Sequence, residues 1–151
     1  MLILSAEEVA RLGAYPDIVE ALREGFRADI ATPVRHHHDV SPVSTLLLMP
    51  AWSKTWAGLK TVVFKSDNAA KGLPTIQASY LLIEQETGAT VAMMDGGEIT
   101  RRRTAAASAL AADYLARKDA ATMTLGGAGA LGPHFVLAHA AVRPIRRVFI
   151  H

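Results

Sequence analysis

Apolar positions follow two different rhythms along this chain. Between residues 5 and 33 they recur at helical spacing, whereas between 34 and 94 they gather into short runs separated by Pro, Gly, Ser, Asp and Asn. Ser5 followed by Glu8 forms a capping box, with Val9 and Leu12 as the apolar side of a short helix ending near Gly13. Pro16 and Asp17 open a second helix, on which Ile18, Leu22, Phe26 and Ile30 are expected to form one buried stripe before Thr32-Pro33 ends it. Strands are predicted over 45–49, 58–64 and 75–83; Glu86-Thr87-Gly88 then makes a turn, and 89–94 returns as a hairpin arm. Residues 98–117 read as a helix whose alanines offer a small surface suited to close packing.

After Asp119 the grammar changes again. A strand over 121–125, a glycine-rich turn, a helix to about Val142 and a strand over 147–150 form the opening β-α-β of a parallel sheet. The expected fold is therefore an α+β domain with a mixed sheet over residues 1–119, followed over 120–151 by the start of an incomplete Rossmann domain.

Composition narrows the function classes. Half of the 151 residues are hydrophobic and 20% are charged, enough for a real core and against disorder. The formal charge is +2 and the cations are scattered apart from Arg101, Arg102 and Arg103, so nucleic acid is not an expected partner. With no cysteine, disulfides, thiolate catalysis and the common zinc frameworks drop out. The apolar start runs into Ser5, Glu7 and Glu8 without the pattern of a signal peptide, and no stretch approaches the ~18 apolar residues of a membrane span. A cytoplasmic protein with no membrane partner is expected.

Gly127-Ala128-Gly129-Ala130-Leu131-Gly132 fits G-x-G-x-x-G, placed between a strand and a helix as the motif requires. Gly127 would permit the tight turn, Gly129 would admit a pyrophosphate close to the backbone, and Gly132 would let helix and strand pack closely. Amides at the helix start favour the same anion, and Pro133 is tolerated there. The alternative is a strand-to-helix turn that binds nothing. The acidic residue that would read the ribose is due about 20 residues on, so NAD and NADP are not distinguished.

The cations leave choices open. Arg101, Arg102 and Arg103 occupy early turns of a helix, where positive charge is mildly unfavourable, and successive residues point about 100° apart, so all three cannot face one site. Either one clamps a carboxylate or all are solvated. Lys60 shares a strand face with Val62 and Phe64, opposite Lys65, and is either snorkelling or paired with an anion. His36, His37 and His38 are consecutive, so alternation turns the middle one away; no metal site is expected. Trp52 and Trp56 read as core or interface.

Arg35, Gly58-Leu59-Lys60, the run from Asp67 through Gly72-Leu73-Pro74-Thr75-Ile76-Gln77, the stretch from Asp95 through Ile99-Thr100, and Arg103-Thr104-Ala105-Ala106-Ala107-Ser108-Ala109 together resemble the ornithine cyclodeaminase and mu-crystallin family. These motifs occur in family order, and Gly127-Ala128-Gly129-Ala130 follows at the right distance. The resemblance implies that Arg35, Lys60 and Arg103 surround the substrate, with Arg103 and Lys60 on its carboxylate and Lys60 the candidate catalytic group. It implies that Thr75 lies near the nicotinamide and Thr104 near the phosphates, and that Gly127, Ala128, Gly129, Ala130 and Leu131 hold the cofactor, NAD or NADP. Arg101 and Arg102 are then left as a solvated pair.

The stretches Gly129–His134 and His139–Pro144 look most like bacterial members that reduce cyclic ketimine acids to proline or pipecolate. The implied activity is NAD(P)H-dependent reduction of delta1-pyrroline-2-carboxylate or delta1-piperideine-2-carboxylate, in a homodimer. Ornithine cyclodeamination, and a non-catalytic oligomerising or binding remnant, are the alternatives. Family members continue through a whole dinucleotide domain, so a fragment, a truncated gene product and half of an assembly all remain open.

Overall fold

The computed structural model describes all 151 residues, Met1–His151. The chain divides into two compact units, one of Met1–Ala10 with Ala28–Ile99 and one of Arg11–Arg27 with Thr100–His151.

The first unit is built on six strands: β1 (Leu2–Leu4), β2 (His36–Ser41), β3 (Ser44–Trp52), β4 (Trp56–Lys65), β5 (Ile76–Glu84) and β6 (Thr90–Asp95). Their order across the sheet is β1-β6-β5-β4-β3-β2. All neighbours are antiparallel except β1 and β6, which makes the sheet mixed. The hairpin expected at residues 86–88 forms, with Gly88 at φ +70°, a conformation that side chains rarely adopt. β4 and β5 are joined through a short 3-10 helix, Ser66–Lys71, closed by Gly72 at φ 67°. Buried Asn68 organises this loop, donating to the Pro74 carbonyl at 2.9 Å and accepting from the Leu73 N–H at 3.0 Å.

Two of these strands were absent from the pattern-based expectation. β1 carries only three residues and pairs in parallel with a strand some 90 positions later, from Leu2 on Ala92 to Leu4 on Met94. β2 is exposed along its whole length, so no apolar alternation announces it.

The second unit packs α2 (Tyr15–Gly25), the body of α3 (Gly96–Leu115) and α4 (Gly132–Val142), with β7 (Thr122–Leu125) and β8 (Arg147–Ile150) pairing in parallel. α1 (Ala6–Leu12) starts with the predicted capping box: the Ser5 hydroxyl and N–H both donate to the Glu8 carboxylate, at 2.9 and 2.8 Å. The stripe expected on the second helix is corrected. α2 stops at Gly25, leaving Phe26 74% and Ile30 40% exposed, and its buried positions are Tyr15 and Val19. Ile18 and Leu22 border that core, whereas the every-fourth-residue signal continued past a glycine that the helix does not cross.

Ala105, Ala106, Ala109 and Ala138 have no exposure, so α3 and α4 approach through side chains no larger than methyl, with Tyr15, Val19 and Leu110 completing the core. Arg143, just past α4, is 5% exposed and closes the end of α3. Its guanidinium donates to the carbonyls of Ala112, Asp113, Ala116 and Arg117 at 2.6–3.0 Å and to the Asp113 carboxylate at 2.6 Å. A helix leaves its last carbonyls without internal partners, and one planar five-donor group satisfies several at once. Arg143 first, then Arg23 and Lys118, hold the Asp113 carboxyl well below the usual carboxylate range.

Candidate functional site

In the first unit, Lys60 stands at the middle of β4, opposite Met49 of β3 and Tyr80 of β5. Alternation places Gly58, Val62 and Phe64 on the same face. Lys60 is half-buried and engaged in an interaction of its own. Lys65, on the opposite face as expected, pairs with Asp67 at 2.9 Å, and Lys71 reaches the same carboxylate at 2.7 Å. Those two hydrogen bonds lower the Asp67 pKa to about 2. Thr75 is half-buried, and its carbonyl accepts from the Lys65 N–H at 2.7 Å, fixing the loop against the end of β4. Arg35 lies just before β2, exposed and with no ion pair or hydrogen bond.

The strand face around Lys60 contains a residue that pattern reading missed. Tyr80 lies diagonally over Gly58: a methyl group at residue 58 would overlap the phenol hydroxyl and come within 2.6 Å of Cζ. The signal was available only once register was known, because Tyr80 is paired with Lys60 rather than with Gly58. Burial pushes the Tyr80 phenol pKa up.

The histidines alternate as expected on β2. His36 and His38 share a face with ring centroids 6.3 Å apart, while His37 lies 3.3 Å from the Asp39 carboxylate. Trp52 and Trp56 are 43% and 45% exposed, which places neither in the core.

In the second unit, the arginine run separates by environment. Arg103 is exposed and makes no hydrogen bond or ion pair. Arg101 and Arg102 are not a solvated pair, as expected above: both are half-buried, and Arg102 donates to the Gly13 carbonyl at 2.8 Å with its guanidinium 5.1 Å from the Tyr15 ring centre. Helical rotation turns this arginine toward the Tyr15 side of the core, where an aromatic face and an orphan carbonyl receive it. Thr104, next along α3, is half-buried.

The three glycines of the turn between β7 and α4 have separate geometries. Gly127 has φ 90°, and its N–H donates to the His151 carbonyl at 2.6 Å. Gly129 has open space where a side chain would stand, and Ala128 and Ala130 beside it are exposed. At Gly132 a methyl would come within 3.3 Å of Leu125 Cδ2, so the absence of a side chain keeps α4 close to β7. Leu131 is half-buried immediately before the helix, and Pro133 occupies its first turn. This combination of a left-handed turn, an open backbone and a close helix-strand contact fits a pyrophosphate-bearing dinucleotide.

Comparison with known proteins agrees over the whole chain. The model of the ornithine cyclodeaminase/mu-crystallin family matches residues 1–151. Protein SAR DEFICIENT 4 of Arabidopsis thaliana is 39% identical over 151 residues, 91% of this chain and 46% of that protein. An archaeal alanine dehydrogenase dimer with bound NAD superimposes with a TM-score of 0.86 at 34% identity, over 99% of this chain and 48% of that one. The Thermococcus litoralis delta(1)-pyrroline-2-carboxylate reductase in complex with NADH and L-proline gives a TM-score of 0.75 at 32% identity, over 99% and 49%. The chain thus spans about half the length of the curated relatives it matches.

Proposed function

The chain belongs to the ornithine cyclodeaminase/mu-crystallin family, and from that premise we propose that it is the substrate-binding part and opening dinucleotide-binding segment of an NAD(P)H-dependent reductase of small cyclic imino acids. On this reading residues 1–119 form the substrate-binding and dimerisation domain, and 120–151 begin a Rossmann domain. The observation that carries it is the glycine turn: Gly127 bends left-handed, Gly129 leaves its backbone open, and Gly132 holds α4 against β7. Those three properties are what a dinucleotide's phosphates require of a strand-to-helix turn.

The roles follow the family motifs. Gly127, Ala128, Gly129, Ala130 and Leu131 hold the cofactor phosphates together with Thr104, and Thr75 lies toward the nicotinamide. Lys60, Arg35 and Arg103 take the substrate carboxylate, Lys60 being the catalytic candidate. When bound, the reduced nicotinamide supplies hydride to the carbon of the C=N bond. What this chain contributes is orientation, since fixing a carboxylate by charged groups on rigid elements removes most of the freedom the imine would otherwise lose in reacting. The half-exposed apolar face of the sheet opposite Lys60, with Leu46, Leu48, Leu59, Val63 and Leu81, supports a homodimer.

Steady-state turnover of delta1-pyrroline-2-carboxylate or delta1-piperideine-2-carboxylate with NADH and NADPH tests the reading. Oxidation of the nicotinamide dependent on the imine is expected; no turnover at any substrate concentration sinks the enzyme reading for this chain. Ornithine with NAD and an ammonia readout tests the cyclodeaminase alternative.

A further inference from the structure

The sheet face that carries Lys60 is otherwise apolar at its centre. Met49 and Ala51 lie on β3, Val62 on β4, Ala78 and Leu82 on β5 and Met94 on β6, all on one face by register. Among them stand two polar groups, the Lys60 ammonium and the Tyr80 hydroxyl. An apolar floor with very few placed polar groups is the ordinary composition of a small-molecule site.

The Tyr80 ring is laid down, not raised, because Gly58 has no side chain. The phenol runs from its own strand position opposite Lys60 diagonally to residue 58, where its hydroxyl occupies the space a Cβ would take. This presents a flat aromatic surface beside the lysine stem. The ring is half-buried, and its hydroxyl makes no hydrogen bond within the protein and is not sealed from solvent. Its donor is therefore within reach of a molecule that binds on this face.

We infer that Tyr80 is a ligand-contact residue that selects for a cyclic skeleton: its ring supports the hydrocarbon part of the molecule whose carboxylate Lys60 takes, and its hydroxyl donates a hydrogen bond to that ligand. The inference rests on the proposed placement of the substrate carboxylate at Lys60. The phenol stays protonated through neutral pH, since burial raises its pKa, and so it remains a donor beside an anion. A three-carbon amino acid would leave the ring uncovered, whereas a five- or six-membered imino acid would lie across it. The preference for ring over chain thus comes from contact area on one aromatic side chain.

Isothermal titration of the whole chain at saturating NADH, with L-proline and L-alanine as probes, tests this against Tyr80→Phe, Tyr80→Val and Lys60→Met. Thermal melts verify that each variant folds. The unsubstituted chain should prefer L-proline; Tyr80→Phe should weaken L-proline about fivefold, the worth of one hydrogen bond. Tyr80→Val should erase the preference, weakening L-proline more than L-alanine, and Lys60→Met should lose both. A second readout is the ultraviolet titration of tyrosine, in which L-proline should shift the Tyr80 phenol upward in the parent but not in Lys60→Met. If Lys60→Met loses both ligands while both Tyr80 variants keep the parent's affinity and preference, the inference fails and the proposed function stands. If the parent binds neither probe, or Lys60→Met binds both as the parent does, the placement at Lys60 fails and the inference falls with it. Should Tyr80→Val not fold, Tyr80→Phe and the titration decide the matter alone.

Discussion

The two units spend their apolar residues differently. In the second, four alanines have no exposure, Val19 is 2% exposed, and even the guanidinium of Arg143 is enclosed. In the first, leucines, methionines, valines and a tyrosine line both faces of a six-stranded sheet, and most remain only half-covered. The second unit thus closes a small interior completely, even though Phe26, Leu115, Leu137 and Ile150 stay outside it. The sheet keeps its own surface in reserve, and on the Lys60 face it interrupts that surface with a charge. A region that is stability-driven should fail when its interior is altered; a region that holds surface for a ligand should lose binding before it loses its fold.

The hardest test of that contrast is Arg143→Met. The change removes a buried cation that satisfies four helix-end carbonyls and leaves Asp113 with only Arg23 and Lys118. Leaving several carbonyls without a donor costs about 1–3 kcal/mol for each that water cannot reach. Chemical denaturation should show that loss, and hydrogen exchange should place it at the end of α3, with amides of β3 to β5 protected as before. Acid sharpens the same point. Asp113 titrates well below its ordinary 3.8 when folded, so its stabilising effect is complete above that value and is lost as pH falls through the lowered one. Stability of the parent should therefore fall on acidification below about pH 4, with a shallower slope in Arg143→Met. Loss of protection spread evenly over both units would contradict the division.

Gly58→Ala probes the sheet in the same currency and should do less harm. The added methyl overlaps a side-chain tip, not backbone, so Tyr80 can swing away at the cost of overpacking, about 1–3 kcal/mol. Combining it with Tyr80→Leu should recover most of that loss, because the overlap then disappears. A loss unchanged in the double variant would mean that the strand backbone, and not Tyr80, needs the glycine.

How much of this was legible follows from how local each cause is. The capping box at Ser5 and Glu8, the turn at Gly88 and the glycine turn at Gly127 depend on residues within six positions of one another, and all three form as read. The extent of α2 was misjudged because periodicity past Gly25 carried no information about what would cover Phe26 and Ile30. Arg102 and Arg143 were opaque for a related reason: a charged residue reads as solvated until the partner carbonyls, some from a helix about 30 residues away, are brought to it. Tyr80 needed strand register, which a sequence constrains only through alternation. The family motifs named Lys60 and Arg103 without describing what surrounds either.

Gly129→Val addresses function with the least structural disturbance. Gly129 is not left-handed and faces open space, so a β-branched side chain fits without moving anything. The melting temperature should stay that of the parent. If the open backbone at this turn is where the cofactor's phosphates approach, the new methyl groups obstruct them, and NADH affinity, read from nicotinamide fluorescence, should drop about tenfold, or 1.4 kcal/mol. Gly132→Val supplies the contrast within one turn, since Leu125 already stands 3.3 Å from a methyl there and the change should lower stability as well.

The smallest effect belongs to Lys71→Met. Lys71 is exposed and shares the Asp67 carboxylate with Lys65, so removing it leaves one pair intact and changes stability at neutral pH by little more than a melt can resolve. The informative quantity is its pH dependence. Hydrogen bonds from Lys65 and Lys71 bring the folded-state pKa of Asp67 down to about 2, from 3.8 in the free group. Their contribution is complete above the higher value and disappears as pH falls through the lower one. The difference between variant and parent should accordingly be constant from pH 7 down to about 4, shrink as pH falls toward 2 and disappear below it. A difference as large at pH 2 as at pH 7 would mean that Lys71 acts through its hydrocarbon stem on the loop ahead of Thr75, making it a packing residue of the first unit and not a charge.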